Sequence, residues 1–164
     1  MKGRAVWFYP DKDTKTVAVA EGAETALAAL SVLNLNGAAA LTVSGLKGIV
    51  LPQDTRELLI FCDQDTAEKG CAGQNAVLAL AERFEKSGGT AWIVSPSDQC
   101  FADKPEKLDF NDLLKQDPSG ESIKARFEKK QRLDEITWKP QEQEQKKEAK
   151  PRTKESWLSA EAQE

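Results

Sequence analysis

The chain has 164 residues, of which 40% are hydrophobic and 30% are charged, and its formal net charge is −4 at pH 7. This composition indicates one soluble domain with a substantial core, and no signal-peptide pattern or apolar run of ~18 residues is present, so we expect a cytoplasmic protein without a membrane partner. The chain contains no histidine, which excludes Ser-His-Asp and Cys-His catalysis and every histidine-ligated metal site.

The first segment of the chain is aromatic. Residues 6–9 predict an edge strand, and residues 10–13 predict a turn. We treat residues 1–15 as an N-terminal edge segment. An aromatic start of this kind leads us to expect that the chain belongs to a longer protein.

The first βα unit follows this segment. Residues 16–20 form a short apolar run that predicts a buried strand, and the strand ends at Glu21 and Gly22. A helical pattern then extends over residues 23–35. The leucines that we expect to face the core are Leu27, Leu30 and Leu33.

Two more apolar runs continue the pattern. Residues 38–43 predict a second buried strand, and residues 47–52 predict a loop or a short helical turn. Residues 58–62 predict the third buried strand. This strand is followed at once by two carboxylates, Asp63 and Asp65.

The next unit has the same organisation. Residues 63–72 predict a polar loop, residues 74–84 a helix, and residues 90–94 the fourth buried strand. Strands that alternate with helices form parallel βαβ units. We therefore predict an α/β fold with a mainly parallel sheet of about four strands, flanked by helices.

The C-terminal third is less regular. Asp109 is placed to cap a short amphipathic helix over residues 109–114, and a further helix is predicted over residues 119–132. We assign residues 16–132 to the folded domain. The composition of residues 133–164 is rich in Gln, Glu and Lys, which predicts a flexible, disordered tail or linker.

Carboxylates follow two of the predicted strands. Because the carboxyl ends of parallel strands meet at one edge of a sheet, we expect Glu21, Asp63 and Asp65 to converge. Three carboxylates without a basic partner repel one another, and a hard divalent cation with oxygen ligands would hold them together. The alternative is that they are ordinary loop carboxylates that cap helix N-termini.

Four motifs resemble those of the Toprim domain, the catalytic fold of bacterial-type primases and of type IA and type II topoisomerases. Residues 19–27 resemble its first motif, and residues 63–65 resemble its Asp-x-Asp motif. Residues 73–76 resemble the start of the following helix, and residues 109–112 resemble the last motif. The resemblance covers residues 16–114 and is best to the primase-like branch of plasmids and phages.

The resemblance implies roles for individual residues. Glu21 corresponds to a glutamate that acts as general acid/base or metal ligand, and Asp63 and Asp65 correspond to the pair that binds Mg²⁺, with Mn²⁺ able to substitute. Asp109 corresponds to a later acid that assists a second metal ion in primases. Lys47 follows the second strand and faintly resembles a phosphate-contacting loop residue, although a plain surface lysine is the simpler interpretation.

Two positions depart from the pattern of the family. Primases commonly carry an aspartate four residues after the glutamate, where this chain has Thr25, and an acid two residues after Asp109, where it has Asn111. Both changes remove a possible ligand. We therefore expect one well-formed metal site rather than two or three.

The resemblance implies the catalytic domain of a larger DNA primase-like protein from a mobile element, which performs Mg²⁺-dependent nucleotidyl transfer. Its partners would be DNA, nucleotides and the other domains of the parent protein, and we expect little activity from the isolated domain. One alternative is Mg²⁺-dependent nuclease or topoisomerase-type strand cleavage. Another is a degenerate interaction module without catalysis in a conjugation or replication assembly.

Overall fold

The computed structural model describes residues 5–8, 15–66 and 70–138. The end of the predicted edge strand at Tyr9, the predicted turn at residues 10–13 and the tail from residue 139 onward lie outside the described residues. Within the described ranges, no helix is long and apolar enough to cross a membrane.

A single sheet forms the centre of the described structure. Its strands are β1 (Val6–Phe8), β2 (Thr16–Ala20), β3 (Gly37–Ala39), β4 (Glu57–Phe61) and β5 (Thr90–Val94). The spatial order is β1-β3-β2-β4-β5; β1 runs antiparallel to β3, and all other neighbours are parallel. The predicted α/β class with a mainly parallel sheet is confirmed.

Helices cover both faces of the sheet. They are α1 (Ala23–Leu33), α2 (Val43–Gly48), α3 (Ala72–Lys86), α4 (Phe110–Gln116) and α5 (Glu121–Glu128), followed by a short 3₁₀ helix (Leu133–Glu135). Helices α2 and α3 pack on one face, and α1, α4 and α5 pack on the other.

The two central strands are buried on both faces, as expected for parallel strands between helical layers. In β4, Leu58 and Ile60 belong to the core under α2 and α3, whereas Leu59 and Phe61 belong to the core under α1, α4 and α5. The alternation follows from the two-residue period of a strand. Cys62, the next residue, is also fully buried.

The predicted strand over residues 38–43 is wrong at its C-terminal end. Strand β3 ends at Ala39, and Val43 already begins α2. The cause is a local cap: the Thr42 hydroxyl oxygen accepts a hydrogen bond of 2.9 Å from the Gly45 amide and so satisfies a free donor in the first turn of the helix. Helix α2 therefore replaces the end of the predicted strand, and its last turn reaches into residues 47–52, for which a loop or a short helical turn is predicted.

The orientation predicted for α1 is only partly correct. Leu30 is buried, but Leu27 is 47% exposed, so Leu27 does not face the core. The small side chains of Ala26 and Ala29 occupy the buried stripe instead. The helix ends at Leu33 because Asn34 adopts the left-handed conformation of a helix C-cap, with a φ of 52°.

The chain continues to contact the domain beyond α5, which ends at Glu128, earlier than predicted. Gln131 exchanges two backbone hydrogen bonds with Ile93 in β5. Farther along, the Trp138 ring lies 5.7 Å from the Phe101 ring. The domain boundary between residues 132 and 133 stays a prediction.

Candidate functional site

The acidic residues predicted from the sequence follow two adjacent parallel strands. Ala20 in β2 is paired with Phe61 in β4, so Glu21 and Asp63 leave the sheet at the same edge. Asp65 follows two residues later, ahead of α3. This placement is the carboxyl edge at which ligands bind in open α/β sheets.

The distances around Gly73, in the first turn of α3, show how close these carboxylates lie to one another. A β-carbon at Gly73 would lie 2.9 Å from Asp65 Oδ2 and 3.4 Å from Glu21 Oε2. The Gly73 amide donates a hydrogen bond of 3.1 Å to the same Asp65 oxygen. The two carboxylates therefore meet at the beginning of α3, where there is room only for a residue without a side chain.

The electrostatics of the site are unfavourable for negative charge. Burial raises the pKa of Glu21, and the charges of Asp63 and Asp65 raise it further. Burial is also the main cause that raises the pKa of Asp63 to about 6; the nearby Asp109 and Asp65 add to the shift, while a hydrogen bond from Thr25 opposes it. The site thus stabilises bound protons or other bound positive charge.

A cleft of about 370 Å³ opens in front of Asp63 and Asp65. Asp109 and Lys107 line its other side, and Glu24 and Thr25 line the side formed by α1. Glu21, whose carboxylate lies against Gly73, is not among the residues that line the cleft.

Gln64 brings the second wall of the cleft into place. It is 3% exposed, and its backbone exchanges two hydrogen bonds with Leu108. Its side-chain amide donates a hydrogen bond of 2.6 Å to the Glu106 carbonyl, and its side-chain oxygen accepts one of 2.7 Å from the Ser97 hydroxyl. These bonds hold residues 106–109 beside the acidic strand end.

Gln74 supports the site from inside the domain. It is completely buried. Its side-chain amide donates hydrogen bonds of 2.9 Å to the Asp65 carbonyl and 3.3 Å to the Cys100 carbonyl. The roles of Gln64, Gln74 and Lys107 were not predicted from the sequence. The place of Gln64 between two aspartates was the one available signal, because a polar side chain directly after a buried strand lies at the sheet edge.

Asp109 is a helix cap. Its carboxylate accepts a hydrogen bond of 2.8 Å from the Asp112 amide, and the Asp112 carboxylate accepts one of 3.3 Å from the Asp109 amide. This reciprocal pair is a capping box that begins α4. Asp109 also lines the cleft, so the cap and a role beside a bound ion remain compatible.

Lys47 lies apart from this group. It is an exposed residue in the last turn of α2 and does not line the cleft. Its contact with substrate stays a prediction.

Glu21, Asp63 and Asp65 supply the hard carboxylate oxygens that Mg²⁺ prefers as ligands. Their negative charges repel one another, and a bound cation would relieve this repulsion. As the side chains stand, however, no three Asp, Glu or Cys residues in the described parts of the chain are arranged to hold a metal ion. The residues are therefore of the right type to bind Mg²⁺, but their side chains would have to turn toward the ion.

The comparison with known families gives a clear match. Residues 16–119, more than half of the chain, match the family model described as "Toprim domain". This match confirms the resemblance that the sequence motifs indicated. No curated protein matches the chain.

Three solved structures are similar to this chain. A DNA primase domain from Pseudomonas aeruginosa is 20% identical, with a TM-score of 0.50 over 75% of this chain and 36% of that one. The DnaG primase catalytic domain bound to ssDNA is 20% identical, with a TM-score of 0.48 over 73% and 35%. The DnaG catalytic core is 18% identical, with a TM-score of 0.48 over 74% and 36%. This chain thus spans about a third of the length of those structures.

Proposed function

The chain belongs to the Toprim domain family, and from this premise we propose that it is the catalytic domain of a larger DNA primase-like protein from a plasmid or phage. Its activity would be Mg²⁺-dependent nucleotidyl transfer in the cytoplasm, on DNA and nucleotides. One observation carries the proposal: Glu21 and Asp63, at the ends of adjacent strands, each have a raised pKa because they are buried beside other carboxylates.

In this proposal Glu21, Asp63 and Asp65 hold Mg²⁺ or Mn²⁺, and Asp109 stands beside them. The bound ion supplies charge neutralisation at the phosphate. Glu21, next to the ion, would accept the proton of the attacking 3′ hydroxyl. Lys107, across the cleft, pairs with a phosphate of the substrate.

The acidic composition supports the view that other domains are needed. Affinity for nucleic acid comes chiefly from phosphate neutralisation by Lys and Arg, and this chain carries 27 acidic residues against 23 basic ones. We therefore propose that the parent protein supplies most of the grip on DNA, and that the isolated domain has weak activity or none.

The first test is an amide NMR titration of the chain with Mg²⁺, and then with Mn²⁺ to use its paramagnetic broadening. We expect the amides of Glu21, Gly22, Asp63 and Asp65 to respond together, and the response to disappear in Asp63→Asn. Asp103→Asn, an exposed aspartate that does not line the cleft, is the matched control. No response at millimolar metal, with or without a short oligonucleotide, would contradict the metal-dependent function.

The second test measures the chemistry. A longer protein that carries this domain is incubated with Mg²⁺, a single-stranded template and labelled nucleotides, and primers should form and be lost in Asp63→Asn. Cleavage of single-stranded DNA, or relaxation of supercoiled DNA, without primer synthesis would instead indicate the nuclease or topoisomerase-type activity.

One observation favours a different class of function. In the described residues no three acidic side chains are arranged to hold a metal ion, and Thr25 and Asn111 occupy two positions at which primases commonly carry acids. A degenerate interaction module would show this pattern. It would remain folded in Asp63→Asn and would support replication or conjugation in cells as well as the unchanged protein does.

A further inference from the structure

A second cleft lies at the opposite edge of the sheet. Its volume is about 360 Å³, and it is bounded by the segment after α2, the end of α3 and the residues that lead into β4 and β5. No residue lines both this cleft, which we call the amino-edge pocket, and the acidic cleft. The proposed function gives the amino-edge pocket no role.

The amino-edge pocket contains two arginines without acidic partners. Among the residues that the structure describes, no carboxylate lies within 4.0 Å of the Arg56 or Arg83 guanidinium. By contrast, Arg126 and Arg132 each contact a carboxylate at 2.7 Å. The pocket thus concentrates positive charge in a chain whose net charge is −4.

One of these guanidinium groups is fixed in place. Arg83 donates a hydrogen bond of 2.9 Å from Nη2 to the Ile49 carbonyl, which ties α3 to the segment after α2. This bond uses one of the five N–H groups of the side chain, and the others remain available. A guanidinium held in this way loses little freedom when it binds a phosphate or carboxylate.

Apolar residues share the remaining wall with Gln53 and Ser87. Phe84, Leu51 and Pro52 line the pocket. Thr55 lines it as well; this residue is 6% exposed, and its hydroxyl oxygen has no hydrogen-bond partner within the described structure. Buried polar groups are nearly always satisfied, so the unpaired Thr55 hydroxyl, which is itself buried behind the pocket surface, requires an explanation.

We propose that the amino-edge pocket binds a small organic oxyanion, a phosphate monoester or carboxylate carried on an apolar or aromatic body. Arg56 and Arg83 pair with the oxyanion, and the Phe84 wall covers the apolar body. Thr55 gains a hydrogen-bond partner when its side chain turns toward the ligand. A concave site that combines apolar walls with convergent polar groups is the usual form of a small-molecule site.

The test is an amide NMR titration of the full chain with four probes. Phenyl phosphate and benzoate carry the two oxyanions, benzyl alcohol is the uncharged analogue, and inorganic phosphate is the anion without an apolar body. We expect at least one of the first two to shift the amides of Arg56, Ser87 and Gly89, with an affinity about tenfold or more above both controls. Which of the two binds more tightly identifies the oxyanion.

Variants assign the contacts. Arg56→Gln and Arg83→Gln should each weaken binding about fivefold or more, whereas Lys86→Gln should not, because Lys86 lies on the same helix, pairs with Glu82 and does not line the pocket. Since Arg83 also bonds to Ile49, Arg56→Gln is the cleaner variant. Thr55→Val, which removes only the hydroxyl, should weaken binding without lowering the melting temperature.

Any one of three results would overturn the proposal. Benzyl alcohol binds as tightly as the anions, or Arg56→Gln has an unchanged affinity for them. The third is that neither oxyanion shifts the amide resonances at about 10 mM. Asp63→Asn should bind the probes normally. Binding at the amino-edge pocket and failure of metal binding at the acidic cleft are therefore distinguishable.

Discussion

The Thr25 hydroxyl donates a hydrogen bond of 2.5 Å to Oδ1 of Asp63, and so connects α1 to the end of β4. Thr25 is 2% exposed. A hydroxyl donor here lowers the pKa of Asp63, whereas a further carboxylate would raise it. The Thr25 hydroxyl therefore favours the ionised form of Asp63 and opposes the effect of burial.

Removal of this hydroxyl should be measurable at Asp63 itself. In Thr25→Val we expect the pKa of Asp63 to rise by about one unit or more, because a hydrogen bond to a charged group contributes about 1.5–3 kcal/mol. The carboxyl ¹³C shift of Asp63 as a function of pH measures the change. Thr25→Ser retains the hydroxyl and should restore the original pKa; equal values for Val and Ser would contradict the assignment.

The raised pKa of Asp63 predicts a pH-dependent stability in the absence of metal. Between the unfolded value of 3.8 and the folded value of about 6, the folded state binds the proton more strongly. Stability is therefore lost as the pH rises through this range, by up to about 3 kcal/mol. In Asp63→Asn this loss is absent, so the variant should be more stable than the unchanged protein at pH 7.5 but not at pH 4.

Urea unfolding in the presence of EDTA, at both pH values, tests this expectation. Asp103→Asn is the matched control, because Asp103 is exposed and does not line the cleft. A stability difference between Asp63→Asn and the unchanged protein that is the same at pH 4 and pH 7.5 would rule out titration of Asp63 as its cause.

The convergence of the acids was predictable from the sequence, because it depends on strand order alone. Apolar runs ending at Ala20 and Cys62 identify buried parallel strands, and the carboxyl ends of such strands share one edge. The roles of Gln64 and Gln74 were not predictable in this way. Their contacts are with residues up to 42 positions away, and although the position of Gln64 directly after a buried strand places it at the sheet edge, no local pattern indicates its partners.

Two errors in the predicted elements have local causes. The apolar run at residues 38–43 is too short for its periodicity to separate a strand from the start of a helix, and the Thr42 cap decided the outcome. Leu27 was expected in the core because leucine is usually buried. In α1 the sheet instead accepts the small Ala26 and Ala29, which allow the helix to approach closely.

The two candidate lysines can be distinguished by nucleic-acid binding. Lys107 lines the acidic cleft and Lys47 does not. On the proposed function, Lys107→Ala should weaken binding of a single-stranded oligonucleotide about two- to fivefold and reduce the slope of log affinity against log salt by about 0.7. Fluorescence anisotropy at several salt concentrations measures both quantities. A larger effect of Lys47→Ala would instead assign the phosphate contact to α2.

The tight contact at Gly73 predicts a variant that damages the site without unfolding the protein. In Gly73→Ala the new methyl group would lie 2.9 Å from Asp65 Oδ2, so the carboxylate has to move and loses its hydrogen bond from the Gly73 amide. Because the displaced atom is the end of a side chain, we expect little change in the free energy of unfolding. Mg²⁺ affinity should fall about tenfold or more, as it does when groups that orient metal ligands are removed.

Gly48→Ala is the matched control for this variant. Gly48 is the last residue of α2, and a β-carbon there would have no neighbour within 4 Å. This substitution should leave Mg²⁺ affinity unchanged and raise the free energy of unfolding by about 0.4–1 kcal/mol, since it restricts only the unfolded chain. Calorimetric Mg²⁺ titration and urea unfolding of both variants separate the two effects. If Gly73→Ala binds Mg²⁺ as tightly as Gly48→Ala, the hydrogen bond from the Gly73 amide does not orient Asp65 for metal binding.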